Sequence, residues 1–354
     1  MSVSTERLPL WTVLVPILAL IGDFALHGRP GILPSVAILF ALVAAVHHAE
    51  LVALRVGEPF GAILLALAVT VIELGLIVSI MLGDHAEPTL MRDTIHATVV
   101  LVLHGVAGLC IVVGAIRHRE QEFSTQGAQS YLSVLIPMVA ITLILPNFTT
   151  SVPGPYYSTS QLAFVSVICL LFWMAFTFVQ TVRHREYFLP TGPSQGHDLA
   201  IPTKKLTLTS LVLLFVALIA VVLLAKGVSP IIQKTVSAMN APPALVGVLV
   251  AAIVLLPEGM TAIRAALNNQ LQTSINLTLG SAVASIGLTV PAVSLVAWWT
   301  DRPLALGVDP GGTALLVLSF IMAIITYGTG RASLLSGVVH LILLATWVFL
   351  ILVP

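Results

Sequence analysis

Charge is the scarcest commodity in this sequence. Asp, Glu, Lys and Arg together make up 8% of its 354 residues, where a soluble domain carries about 25%, so a water-facing globule is excluded. The few charges also cancel, 15 basic against 15 acidic, for a formal net charge of zero. No basic tract is available to neutralise phosphates, which removes nucleic acid as a partner. Cysteine is almost missing. Cys110 and Cys169 both lie inside apolar segments and read as packing residues rather than as a disulfide or a metal site. HExxH, GxSxG and P-loop motifs are all absent, and His48-Ala49-Glu50 has the wrong spacing for a helical zinc pair. Neither an enzyme nor an ATP-driven pump is expected, and no cofactor is called for.

Apolar residues fill the space left by charge, at 58% of the chain. Runs of about 18 or more recur along almost the whole length, the pattern of a polytopic helical protein whose main partner is the lipid bilayer. Eleven spans are expected, at roughly 8–27, 30–55, 58–82, 93–116, 130–150, 160–182, 206–227, 242–264, 273–299, 311–328 and 333–353. Arg7 precedes the first without a small-residue cleavage pattern, so an anchor helix is read there rather than a removed signal peptide. The longest polar connection, 183–205, is rich in Pro, Gly and charge and reads as a linker between halves. With these spans, ten of the fifteen Lys and Arg residues fall on one side, among them Arg55, Arg117, Arg119, Lys204 and Arg331. Arg29, Arg92, Lys226, Lys234 and Arg302 fall on the other. The positive-inside rule then expects the N-terminus in the cytoplasm and the C-terminus outside.

Against this background two acidic residues stand out. Glu73 lies in the third span and Glu258 in the eighth. A charge at bilayer depth costs at least ~2.5–3.5 kcal/mol, so it marks an ion or proton site more often than a structural polar lock. The two spans are five apart in chain order, an odd number, so their helices cross the membrane in opposite directions. That is the arrangement of inverted repeats, whose sites lie near the midplane. The expected fold is therefore all-α, with an extra helix (1–29), a first five-helix repeat (30–182), the linker (183–205) and a second repeat (206–354).

Other residues surround this reading. Ala62, Ala66, Thr70 and Glu73 share one helix face, as do Gly247, Ala251, Glu258, Ala262 and Ala265; small residues permit close helix approach. Pro257 and Pro291 are expected to break their helices and free the carbonyls of Ile253 and Gly287, and freed carbonyls in broken membrane helices coordinate cations. Ser274, Thr278, Ser281 and Ser285 form a hydroxyl stripe on one helix face. Oxygen donors of this kind suit hard cations, although membrane serines also bond their own backbone. His104, deep in the fourth span, is either a proton relay or a structurally bonded histidine. His47, His48 and Glu50 read as an interfacial cluster, or else as a gate or proton entrance. Asp23 and the loops 84–93 and 301–309 are expected at the interface.

The segments GEPFGAILLALAVTVIE (57–73), LPNFT (145–149) and LLPEGMTAIRAALNNQLQTSINLTLGSAVASIGLTVPAV (255–293) resemble the calcium/cation antiporter superfamily. Within it they are similar to the bacterial calcium–proton exchanger branch, of the ChaA-like type. The resemblance implies eleven helices in two inverted repeats, with an essential glutamate in each, carried here by Glu73 and Glu258. It implies a secondary antiporter of the bacterial inner membrane that exports Ca²⁺, and also Na⁺ or K⁺, against entering protons, with these ions as substrates rather than cofactors. The alternatives are a proton-independent sodium/calcium-type exchanger and a non-transporting membrane structural protein. The sequence departs from the wider family where Gly-Asn commonly precedes each glutamate; Val69-Thr70 and Val254-Leu255 stand there. His104 and Ala284 occupy positions where Asn or Gln is common. The missing amides leave Thr70, His104, Ser281, Ser285 or backbone carbonyls to complete the site.

Overall fold

Continuous apolar sequence gives continuous helix, and helices satisfy their own backbone where no water can. The computed structural model describes residues 8–25, 31–57, 60–83, 87–189 and 202–353. Arg7, Arg29, Glu58, Asp84 and most of the linker 183–205 lie outside them. We number the long helices in chain order. They are α1 (Leu10–Ala25), α2 (Ile32–Val56), α3 (Phe60–Met81), α4 (Leu90–His118), α5 (Thr125–Asn147), α6 (Thr159–Arg183), α7 (Lys204–Ala238), α8 (Ala244–Leu267), α9 (Leu271–Thr300), α10 (Pro310–Tyr327) and α11 (Leu334–Leu352). Ten of these are long and apolar enough to cross a membrane. The chain is a multi-pass membrane protein. The expected first span is present as a shorter apolar helix of 16 residues, about 24 Å at 1.5 Å per residue.

The helices belong to two compact units, each drawing on both halves of the chain. One comprises 1–86 and 195–240, so that α2 packs with α1, α3 and α7. The other comprises 87–194 and 241–354, with α4 to α6 and α8 to α11. In the first unit, Gly61 lies so close to the backbone of Ala53 that a Cβ would sit 2.6 Å from its carbonyl oxygen, and Gly75 meets Val222 as tightly. Small residues bring α3 against α2 and α7. α7 runs 35 residues, eleven beyond its expected end. Lys226, Ser229 and Lys234 ended the apolar run without ending the helix, because polar side chains do not interrupt backbone hydrogen bonds.

The second unit shows where helix starts are written into the sequence. Ser124 Oγ accepts from the Gly127 amide, Ser158 closes a capping box with Gln161, and Asp309 accepts from the Gly312 amide. Each satisfies an end group that the helix cannot. Three helices carry a π-helical stretch, at Leu101–Val106 in α4, Ala140–Ile144 in α5 and Val179–Arg183 in α6. Such widened turns recur at functional sites. A two-residue antiparallel pairing, β1 (Gln121–Glu122) with β2 (Arg331–Ala332), ties the α4–α5 turn to the α10–α11 turn. At the other end the segment 304–308 is inserted among the helices rather than lying at an interface. Leu306 is fully buried, and Val308 N donates to Leu143 O at 2.8 Å.

Candidate functional site

In the first unit, α3 carries Thr70 and Glu73 one turn apart, and both are buried, at 5% and 2% exposure. Thr70 Oγ1 donates to the carbonyl of Ala66 at 2.9 Å, so its proton is spent within its own helix while a lone pair of the oxygen remains. The histidines of α2 depart from the interfacial reading. His47 and His48 are buried because α1 covers them. His48 Nε2 reaches the carbonyl of Thr12 at 3.0 Å, and Trp11 packs against the ring of His47.

In the second unit, Glu258 is half-buried and its Oε2 is shielded from solvent. Its position follows from glycine. A Cβ on Gly247 would lie 2.7 Å from the backbone of Asp93 and Thr94, and Gly259 faces Val106. α8 therefore follows α4 closely, from Asp93 to the π-helical stretch, and sets Glu258 beside that stretch. The expected breaks at Pro257 and Pro291 are absent: α8 and α9 run through both prolines. Proline deletes one donor, so the carbonyls of Ile253 and Gly287 lose their helical partner, while the flanking turns hold the helix together.

The hydroxyl stripe of α9 divides. Ser274 Oγ donates to the carbonyl of Ala262 in α8 at 2.7 Å, and Thr278 Oγ1 donates to Ser274 O at 2.9 Å. The first bond clamps α9 to α8, and the second stays within α9. Ser281 is half-buried and Ser285 is buried, farther along the same face. Asp93 is also buried rather than interfacial. It accepts from Thr89 Oγ1 at 2.9 Å and pairs with Arg92 at 2.8 Å.

His104 sits inside the π-helical stretch, 1% exposed, with its Nδ1 at 2.7 Å from Nδ1 of His340. His340, on α11 and fully buried, uses its other nitrogen on Thr326 Oγ1 at 2.9 Å. The rings are 4.9 Å apart. Close packing makes this possible: Gly108 faces the His340 Cβ, and Gly337 meets Ile111 and Val112. Sequence reading singled out His104 and missed its partner. The signal was there, since His340 is the sole ionisable residue of α11. Outside the membrane, Tyr157 donates its hydroxyl to the carbonyl of Ile141 at 2.6 Å. Burial, with Cys169 adding to it, pushes its phenol up to about 12, so it remains a neutral donor.

Thr70 and Glu73 thus share a buried face of the first unit. Glu258, Ser281, Ser285 and His104 all belong to the second. Carboxylate, hydroxyl and carbonyl oxygens can hold hard cations, and carboxylates and imidazoles can hold protons.

Known proteins of similar sequence cover nearly the whole chain. "Putative ionic transporter y4hA" of Sinorhizobium fredii is 41% identical over all of this chain and 99% of its own length. "Sodium-potassium/proton antiporter ChaA" of Escherichia coli is 33% identical over 96% of this chain and 95% of its own. The fold of native YfkE superimposes with a TM-score of 0.73 at 18% identity, covering 98% of this chain and 99% of that one. The sodium/calcium exchanger protein family matches residues 11–182 and 209–353, and the chain belongs to that family.

Proposed function

We propose that this chain is a secondary antiporter exporting Ca²⁺ from the cytoplasm in exchange for protons, with Na⁺ and K⁺ as further substrates. The observation that carries this reading is Glu73, a carboxylate only 2% exposed in the middle of an apolar helix, with Glu258 as its counterpart on α8. A bare charge is costly in such surroundings, so each carboxylate holds either a cation or a proton. Cation and proton therefore exclude one another, and exclusion is sufficient for exchange. Thr70, Ser281, Ser285 and the carbonyls of Ile253 and Gly287 supply further oxygens. Ca²⁺ takes oxygen ligands, which assigns His104 to proton handling and leaves it outside the cation shell. The relatives' names support the reading, since one is described as a sodium-potassium/proton antiporter and another, from Bacillus subtilis, as a Ca(2+)/H(+) antiporter. The membrane is the bacterial cytoplasmic one, with the N-terminus inside, from the two-to-one excess of Lys and Arg on that side.

The test is ion flux in everted membrane vesicles that hold an acid interior, followed with a pH-sensitive dye in sodium-free medium. Ca²⁺ added outside should collapse the gradient, and Na⁺, K⁺ and Mg²⁺ tested alongside rank the substrates. Ca²⁺ uptake that requires a sodium gradient and leaves the dye unchanged would establish the sodium/calcium alternative that the family's description suggests.

A further inference from the structure

The carboxylates are not the only buried proton-binding groups. His104 and His340 face each other in the second unit, 1% and 0% exposed. Their Nδ1–Nδ1 separation of 2.7 Å is a hydrogen bond. It is too short for a metal between them, because two nitrogens each about 2.0–2.1 Å from one ion sit farther apart. No third His, Cys, Asp or Glu joins the pair among the described residues. The bond dictates the protons. One Nδ1 must donate and the other accept, so the two rings have complementary tautomers. When His104 Nδ1 donates, its Nε2 is bare, and His340 Nε2 donates to Thr326 Oγ1. When His340 Nδ1 donates, His104 Nε2 carries a proton, and His340 Nε2 accepts from the Thr326 hydroxyl. His104 Nε2 is buried and has no hydrogen-bond partner among the described residues. It is the open inner end of the chain.

We propose that Thr326, His340 and His104 form a proton relay from the middle of α4 to the α10–α11 turn. This rests on the antiport reading and adds the route by which protons leave its core for the cytoplasm, the side on which Arg331 and its pairing with the α4–α5 turn set the α10–α11 turn. Thr326 is buried within one helical turn of the exposed residues Gly328 and Thr329, and His104 lies at the centre of the 29-residue α4. The step balances. A proton arriving from the core at His104 Nε2 sends the His104 Nδ1 proton onto His340 Nδ1. His340 passes its Nε2 proton to Thr326 Oγ1, and Thr326 releases its hydroxyl proton. One proton enters and one leaves, and only N–H and O–H bonds change. Rotation of the hydroxyl and return of the pair to its first tautomer reset the chain. The elements packed around the π-helical stretch carry other titratable groups: Asp93 and His96 farther along α4, Cys110 beyond it, Glu258 and Arg264 on α8, and Tyr327 on α10.

The test uses the purified full chain in liposomes and two reactions. Calcium/proton exchange is read with an enclosed pH dye, and isotopic Ca²⁺/Ca²⁺ self-exchange is read at equal pH on both sides. In His340→Asn and Thr326→Val, calcium/proton exchange should slow about tenfold or more, on the scale of lost general acid–base assistance. Self-exchange should stay within about twofold of the parent, since it needs no net proton movement. Thr326→Ser, which keeps the hydroxyl, should restore the proton-coupled rate. Proportional loss of both reactions would mark the pair as structural and overturn the relay, as would wild-type proton exchange in both variants. Should His340→Asn fail to fold, the two Thr326 variants decide alone. A parent protein that self-exchanges Ca²⁺ without moving protons would instead sink the antiport reading itself.

Discussion

At the scale of single residues, the question is which polar groups are spent on structure and which are left for ions. Ser274 and Ser281 differ by two turns on one face of α9, and the sequence could not rank them. The structure separates them, because Ser274 is the donor to the Ala262 carbonyl at 2.7 Å while Ser281 lies half-buried beyond the clamp. Ser274→Ala should remove a buried hydrogen bond between α9 and α8 and cost about 0.5–1.5 kcal/mol, seen as a lower midpoint of thermal unfolding in detergent. Ser281→Ala should leave that midpoint within about 0.5 kcal/mol but raise the Ca²⁺ concentration needed for half-maximal uptake. Equal effects of the two on stability would refute the division. The glutamates need no such sorting. Glu73→Gln or Glu258→Gln keeps the shape but can neither neutralise a cation nor release a proton. Isotopic Ca²⁺ uptake should fall about 100-fold or more, at unchanged amounts of inserted protein measured by immunoblot. Uptake near the parent rate in either variant would remove that glutamate from the site. The two carboxylates stand out in the sequence because charge is rare at bilayer depth. The His104–His340 bond does not, because a contact between residues 236 apart in sequence leaves no periodicity to read.

At the scale of elements, close approach is bought at glycine. The α4–α11 contact depends on Gly108 and Gly337, and a Cβ at Gly337 would fall 2.8–2.9 Å from Val112 and Ile111. Part of that obstruction is the Val112 backbone nitrogen, which cannot turn aside. Gly337→Val should therefore overpack the contact and destabilise the fold by about 1–3 kcal/mol. Gly22 in α1, with nothing within 4 Å of an added Cβ, provides the control. Gly22→Ala should be neutral or stabilise by up to about 1 kcal/mol. Thermal unfolding of the three proteins side by side checks the order, and a Gly337→Val midpoint at or above the parent's would contradict the packing argument. Helix positions were readable from hydropathy to within a few residues, but hydropathy follows the bilayer rather than the backbone. That is why the end of α7 was placed too early, and why the run-through prolines and the π-helical turns could not be foreseen.

At the scale of the whole molecule, span count and sidedness come from different physics. The count follows from apolar length, whereas sidedness rests on a few cations that insertion holds in the cytoplasm. The division into two compact units was not legible. It joins α7 to α1, α2 and α3 through packing between segments far apart in the chain, whereas composition suggests a cut at the linker. Sidedness can be tested at two exposed positions, Glu120 in the α4–α5 turn and Ser237 near the end of α7. With an odd number of crossings between them, they should face opposite compartments. Cys110 and Cys169 are both buried, so replacing them by Ala gives a quiet background for Glu120→Cys and Ser237→Cys. In intact cells a membrane-impermeant maleimide should label the Ser237→Cys protein and spare the Glu120→Cys protein, and everted vesicles should reverse the pattern. Labelling of both proteins in one preparation and of neither in the other would mean that the positions share a side, which an odd number of crossings forbids. The reverse assignment would place the cation-rich face outside and overturn the proposed orientation, with the N-terminus then facing outward.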